Sequence, residues 1–204
     1  MTRIVNVEMR PYRSQLREEQ AEETRARILD ATLRVMAGGI ASVSIPAVAR
    51  EAGVSVPTVY RHFGAKRELM AALHPHVMRR AGFDEVVPPR SIDELPDGVR
   101  SFFERLDAAD DLAWAAMASP ASEEARAIHM PRRLEFGRRI ADSIEPKLAK
   151  ADRERIARLL VVLISSSSLR VWRDHLGGSV EQAADDIIWA IRAAIAASTP
   201  KGGR

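Results

Sequence analysis

The 204-residue chain contains no cysteine. That removes disulfides, iron–sulfur clusters, thiolate zinc sites and cysteine nucleophiles together. No apolar run approaches the ~18–20 residues a bilayer-spanning helix needs. The first residues, with Arg3, Glu8, Arg10 and Arg13, hold no apolar stretch of the kind a secretory signal requires. A cytoplasmic protein that does not engage a membrane is the expectation. There is no glycine-rich phosphate loop of the Walker or Rossmann kind. His74-Pro75-His76 comes nearest to a metal pair, but no carboxylate is close in sequence. Residues two apart on a helix do not share a face. No metal and no cofactor is expected, and catalysis is disfavoured. Alternating β-branched runs are few, so the chain reads as all-α.

Charge is unevenly spread. Residues 1–80 carry 13 Lys+Arg against 8 Asp+Glu, and residues 81–204 carry 18 against 20. The first segment is therefore the better candidate for a polyanion. Residues 1–19, with mixed charges and Pro11, read as an irregular, flexible arm. Between about Glu22 and Met36, Ala26, Ile28, Leu29, Leu33, Val35 and Met36 recur at spacings of three and four. This pattern predicts an amphipathic helix ended by Gly38-Gly39. Lys66 to about Arg79 reads as a longer helix that Pro75 kinks or breaks. Beyond a Pro88-Pro89 linker, helices are expected over about 92–108, 110–118, 122–142, 152–176 and 179–198. Pro131 should split or kink the third of these. Ser179 and Gln182 make a capping box for the last.

The chemistry concentrates between residues 44 and 66. Ser44 and Ser55 each suit an N-cap, with Pro46 and Pro57 in the first turns that follow. Gly53 supplies the corner between two short helices, which is a helix-turn-helix layout. Val48, Ala52, Val54, Val59 and Phe63 can form its inner face. Thr58 and His62 lie four apart on an adjacent face, and Arg61 extends from the turned-out side. The small side chains of Ser55, Val56, Pro57 and Thr58 let such a helix approach a major groove closely.

Residues 22–73 resemble the TetR family of transcriptional regulators. The resemblance rests on Arg25-Ala26-Arg27-Ile28-Leu29-Asp30-Ala31, on Gly39 before Ser42-Val43-Ser44-Ile45, and on Val48-Ala49-Arg50-Glu51-Ala52-Gly53-Val54-Ser55. It continues through Thr58-Val59-Tyr60-Arg61-His62-Phe63 and Lys66-Arg67-Glu68-Leu69. It implies a three-helix helix-turn-helix DNA-binding domain (20–65), a connecting helix (66–80) and a helical bundle for effector binding and dimerisation (81–204). It implies a homodimer on a palindromic duplex operator, usually a repressor released by a small-molecule effector, here unidentified. Carried over by position, Val56, Pro57 and Thr58 fall where the family reads base edges. Ser44, Thr58, Tyr60, His62 and Lys66 fall where it holds phosphates. Two departures stand out. Pro46 replaces a long base-reading side chain found in some relatives. Val56 can touch a thymine methyl but makes no bidentate bond.

Candidates for an effector pocket are Phe102, Phe103, Leu106, Trp114, Met117, His129, Met130, Phe136 and Trp172, since apolar walls with one or two polar groups suit small molecules. Ile156, Leu160, Leu163, Ser167, Ile188, Ile191 and Ile195, on the last two long helices, are candidates for the dimer interface. Four consecutive serines, Ser165 to Ser168, are unusual within a helix. The rival to a ligand-responsive regulator is a DNA-binding interaction protein without an effector, which a dry C-terminal core would favour.

Overall fold

The computed structural model describes residues 9–83 and 87–198, and these are all-α with no strand. Ten α-helices follow in order. They are α1 (Met9–Ala37), α2 (Ile45–Ala52), α3 (Val56–Phe63), α4 (Lys66–Arg80), α5 (Leu95–Asp107), α6 (Asp111–Ala118), α7 (Ser122–Ile144), α8 (Lys150–Leu163), α9 (Ser166–Arg170) and α10 (Val180–Ser198). No described helix is long and apolar enough to cross a membrane.

Local chemistry sets the helix ends of the first domain. The Ser44 hydroxyl accepts from the Ala47 amide at 3.3 Å, and the Ser55 hydroxyl accepts from the Thr58 amide at 3.3 Å. Each thereby satisfies one orphan donor of a first turn. Gly53 follows α2 at φ 65°, in the left-handed region where a Cβ is disfavoured. That turn aims α3 across α2. Ser179 and Gln182 form the expected reciprocal box, at 2.9 and 3.2 Å.

Two apolar cores result. The first gathers Ile28, Leu29 and Leu33 of α1, Val48 of α2, Val59 and Phe63 of α3, and Leu69, Met70 and Leu73 of α4. Ala113 and Ala116 of α6 join it, so the N-terminal domain is packed against the rest of the chain. The second core lies among α5, α7, α8, α9 and α10, around Phe103, Ile156, Leu160, Leu169 and Ile191. Each such fully buried side chain is worth about 1.5–3 kcal/mol relative to exposure.

Several sequence expectations are corrected. The arm is not irregular from residue 9 onward, because α1 already runs through 9–19. Pro11 falls in the first turn, where a missing N–H costs little, and Arg, Glu and Gln are good helix formers. Residues 1–8, including Arg3, lie outside the described residues. Neither Pro75 nor Pro131 breaks its helix; α4 and α7 pass through them. The expected helix over 152–176 is interrupted at Ile164–Ser165. Ser165 has extended backbone angles and accepts from the Ser168 amide at 3.1 Å. The serine run thus starts a new helix, which continues into a π-helical turn over Val171–His175.

Pro75 explains one long-range bond. A proline has no N–H, so the carbonyl four residues earlier, that of Ala71, has no helical donor. The His129 Nε2–H of α7 supplies it instead, donating to Ala71 O at 2.9 Å. α7 meets α8 equally closely, since a Cβ at Gly137 would lie 2.8 Å from the Ala157 carbonyl oxygen.

Candidate nucleic-acid interface

α3 is amphipathic in the sense a reading helix needs. Val59 and Phe63 are 1% and 5% exposed and anchor it to the first core. Pro57, Tyr60 and Arg61 are exposed on the other side, with Val56, Thr58 and His62 half-buried beside them. The outer face therefore combines small residues at its start with an aromatic hydroxyl and a cation further along. Thr58 Oγ1 lies 2.8 Å from Ser55 Oγ. That bond orients both hydroxyls at the N-terminus of α3, where unpaired N–H groups also favour a phosphate. Ser44 is exposed at the start of α2, one residue before the buried Ile45.

Arg25 of α1 fixes the other end of α3. Its Nη1 donates to the His62 carbonyl at 2.8 Å, and its guanidinium lies 4.3 Å from the Phe63 ring centroid. A cation at a helix C-terminus opposes the negative end of the dipole. Sequence reasoning missed this role. The available signal was Arg25 itself, one helical turn before the buried Leu29.

Electrostatics refine two phosphate candidates. Burial lowers the His62 proton affinity below its ordinary value, and the cations Arg61 and Arg25 lower it further against an opposing Glu22. At neutral pH His62 can thus hydrogen-bond a phosphate but brings no full charge. Lys66 Nζ is paired with Glu124 Oε2 of α7 at 2.9 Å. Lys66 therefore ties α4 to α7, and a phosphate must compete with that carboxylate. Tyr60, 46% exposed, and the exposed Arg61 face no such competitor among the described residues.

The effector candidates do not converge on one cavity. Phe103 and Leu106 are 0% and 2% exposed and belong to the second core. They pack in the interior and face no open cavity among the described residues. Phe102 stacks at 5.2 Å on Phe83, and Phe136 lies under Arg139 at 5.3 Å. Trp114 lies under Arg173 at 4.1 Å, and its buried Nε1–H has no partner among the described residues. Met117 and Trp172 are half-buried against the second core, and Met130 is half-buried on α7. His129 turns away to the Ala71 carbonyl. An open groove of about 510 Å³ lies elsewhere, between α5 and α10, where Pro96, Arg100, Ile188 and Trp189 face it.

The dimer candidates divide by burial. Ile156, Leu160 and Ile191 are 0%, 2% and 0% exposed and already covered within the single chain. Ile188 and Ile195 are nearly as buried, while Leu163 and Ser167 are half-buried. The apolar stripe of α10 packs inward on α5 and α8. What α10 presents outward is Trp189, 73% exposed, and α8 presents Val162, 65% exposed.

Comparison with known proteins agrees with this geometry. Residues 28–73 match the family described as bacterial regulatory proteins, tetR family. The chain is 46% identical over 55 residues to the HTH-type transcriptional regulator SrpR of Pseudomonas putida, covering 26% of each chain. It is 45% identical over 60 residues to the HTH-type transcriptional repressor KstR of Mycolicibacterium smegmatis, covering 29% of each. The similarity thus spans under a third of either relative. In fold it is similar to NalD, a secondary repressor of the MexAB-OprM multidrug efflux pump in Pseudomonas aeruginosa. That likeness has a TM-score of 0.60 at 18% identity and covers 90% of this chain and 100% of that one. The match places a tetR-family DNA-binding domain over residues 28–73, and outside it the likeness to NalD is one of all-helical fold.

Proposed function

We propose that the protein is a sequence-specific DNA-binding regulator, acting as a homodimeric repressor that a small-molecule effector releases from a palindromic operator. The observation that carries this reading is α3: a helix pinned at both ends, with small side chains at its start and Tyr60 and Arg61 exposed. Val56, Pro57 and Thr58 approach base edges. Val56 offers an apolar contact to a thymine methyl, and Thr58 offers a hydroxyl to either kind of edge. Ser44, Ser55, Tyr60, Arg61 and, once freed from Glu124, Lys66 hold phosphates, with neutral His62 as a hydrogen-bonding partner. With only one hydroxyl reading bases, specificity rests heavily on DNA shape.

Two reading helices address half-sites about 34–36 Å apart when the chain is paired about a two-fold axis. The outward faces of α8 and α10, with Val162 and Trp189, supply a surface for that pairing, since an exposed tryptophan is a common interface anchor. α4 begins at the helix-turn-helix and ends in the second core, so a ligand bound beside it can bear on the reading head.

Binding-site selection from random duplex DNA at two salt concentrations tests the reading. The expected result is one palindromic site with steep salt dependence. Recovery of no sequence above background, by protein shown to be folded and dimeric, would refute it.

A further inference from the structure

α4 and α7 lie side by side in parallel, in a constant register. Lys66 meets Glu124, and Ala71 meets His129 at a sequence separation of 58. The same register sets Arg132 beside His74 and Arg133 beside Pro75, one turn further on. His74 and His129 are in ring contact, with centroids 4.7 Å apart. The seam thus holds two imidazoles in contact, with the charges of Arg132 and Arg133 near enough to act on His74, where Pro75 interrupts the hydrogen bonding of α4.

No carboxylate balances this group among the described residues. Arg133 is half-buried and donates only to the Val161 carbonyl of α8, at 2.9 Å. Arg132 is exposed, and it joins no ion pair among the described residues. Contrast the seam one helical turn and more below, where Lys66 has its Glu124. A half-buried guanidinium without a counter-charge carries a desolvation cost that a bound anion offsets.

We propose that this seam is a binding site for an oxyanion, the carboxylate or phosphate of a small molecule, gripped by Arg132 and Arg133 with His74 as a third donor. The proposal names a ligand class for the regulator and rests on that reading. Arginine suits the task, because its planar fork matches the geometry of both oxyanions. Metal binding is the poorer fit: His129 already spends Nε2–H on Ala71, and the neighbouring guanidiniums repel a cation. Part of His74 stays open to solvent, which gives a ligand access, while its neighbours strip water from the rest of the ring.

Proton affinities along the seam agree. The His74 value is pushed down to about 4, first by the surrounding protein, which strips water from the ring, then by His129, Arg133 and Arg132. His129 is lowered by burial and by Arg132 and Arg133, against the opposing bond to Ala71. Burial and Arg126 lower Arg133. These charged groups face the site from α7, and α8 contributes the Val161 carbonyl. An anion seated there offsets the part of that lowering that comes from Arg132 and Arg133, so the proton affinity of His74 rises as the anion binds.

The test uses the full chain without DNA, with carbon-13-labelled histidine side chains followed by nuclear magnetic resonance. Inorganic phosphate, and separately acetate, is titrated in against sodium chloride at constant ionic strength. His74 should shift saturably, and its titration midpoint should rise toward the ordinary histidine value. His175, exposed on the π-helical turn, serves as the reference that stays put. Arg132→Ala, a surface change, should weaken phosphate binding by about tenfold, the scale of one charge-assisted bond. Equal shifts at His74 and His175, the same response to chloride, or unchanged affinity in R132A would overturn the proposal. A non-operator duplex that moves His74 at lower concentration than phosphate would overturn it in favour of DNA. Because the binding assay contains no operator, failure of the anion site and failure of the regulator reading are separate results.

Discussion

Replacing His129 by phenylalanine should destabilise the protein by about 1–2 kcal/mol, the cost of leaving a partly buried carbonyl unpaired. The substitution keeps a ring of similar size against His74, 4.7 Å away. It removes only the Nε2–H that serves the Ala71 carbonyl at 2.9 Å. The reason that carbonyl needs a foreign donor is Pro75, which lies inside α4 and has no N–H to give. Pro75→Ala restores a donor four residues downstream of Ala71. In that background His129→Phe should cost under about 0.5 kcal/mol, so the two changes should couple by about 1 kcal/mol. Urea unfolding of the four proteins, followed by far-ultraviolet circular dichroism at mildly alkaline pH, measures the cycle. Equal losses from His129→Phe in both backgrounds would show that His129 acts by packing alone, and would refute the reasoning.

Further outcomes are expected at other sites. Tyr60→Phe should weaken binding to all duplexes alike and flatten the log-affinity against log-salt plot only if the hydroxyl's loss also displaces Arg61; Arg61→Ala should lower that slope by about 0.9, one released counterion. Lys66→Ala should lower it by less, since Lys66 spends its charge on Glu124. All three are read by fluorescence anisotropy across a salt series. Gly137→Ala should cost about 1–3 kcal/mol, because its Cβ would meet the Ala157 carbonyl at 2.8 Å and force α7 from α8. An unchanged melting temperature would contradict that close approach. His74 has a folded-state value of about 4, below its ordinary 6.5. The unfolded chain therefore binds more protons between these limits, and stability should rise with pH across that window. His74→Gln should flatten the rise in a series of thermal melts, and an unaltered slope would show that His74 titrates normally.

Much of the helix-turn-helix was legible in sequence because its signals act over three or four residues. Ser44, Ser55 and Gly53 settle where α2 and α3 begin and turn, whatever lies around them. The outward placement of Tyr60 and Arg61 follows from the inward spacing of Val59 and Phe63. Local propensity misled at Pro11, Pro75 and Pro131. A proline in a first turn costs little, and one inside a helix is tolerated when its neighbours resupply what it removes. Ser165 misled in the opposite direction: apolar spacing continues on both sides of it, yet its hydroxyl caps a new helix.

The sequence alone determined an all-α chain with a positively biased, helix-turn-helix N-terminal segment, because periodicity, capping and charge are properties of neighbouring residues. Only the tertiary structure decided which face of α10 is core and which is surface. Its isoleucines looked equally suited to a partner chain until α5 and α8 were seen to cover them, leaving Trp189 outside. The pairing of Lys66 with Glu124, the rescue of Ala71 by His129 and the uncompensated arginines beside His74 were likewise out of reach. Each joins residues far apart in the chain, and no spacing rule links them. They exist because α4 and α7 share one register, which the packing of the whole molecule fixes.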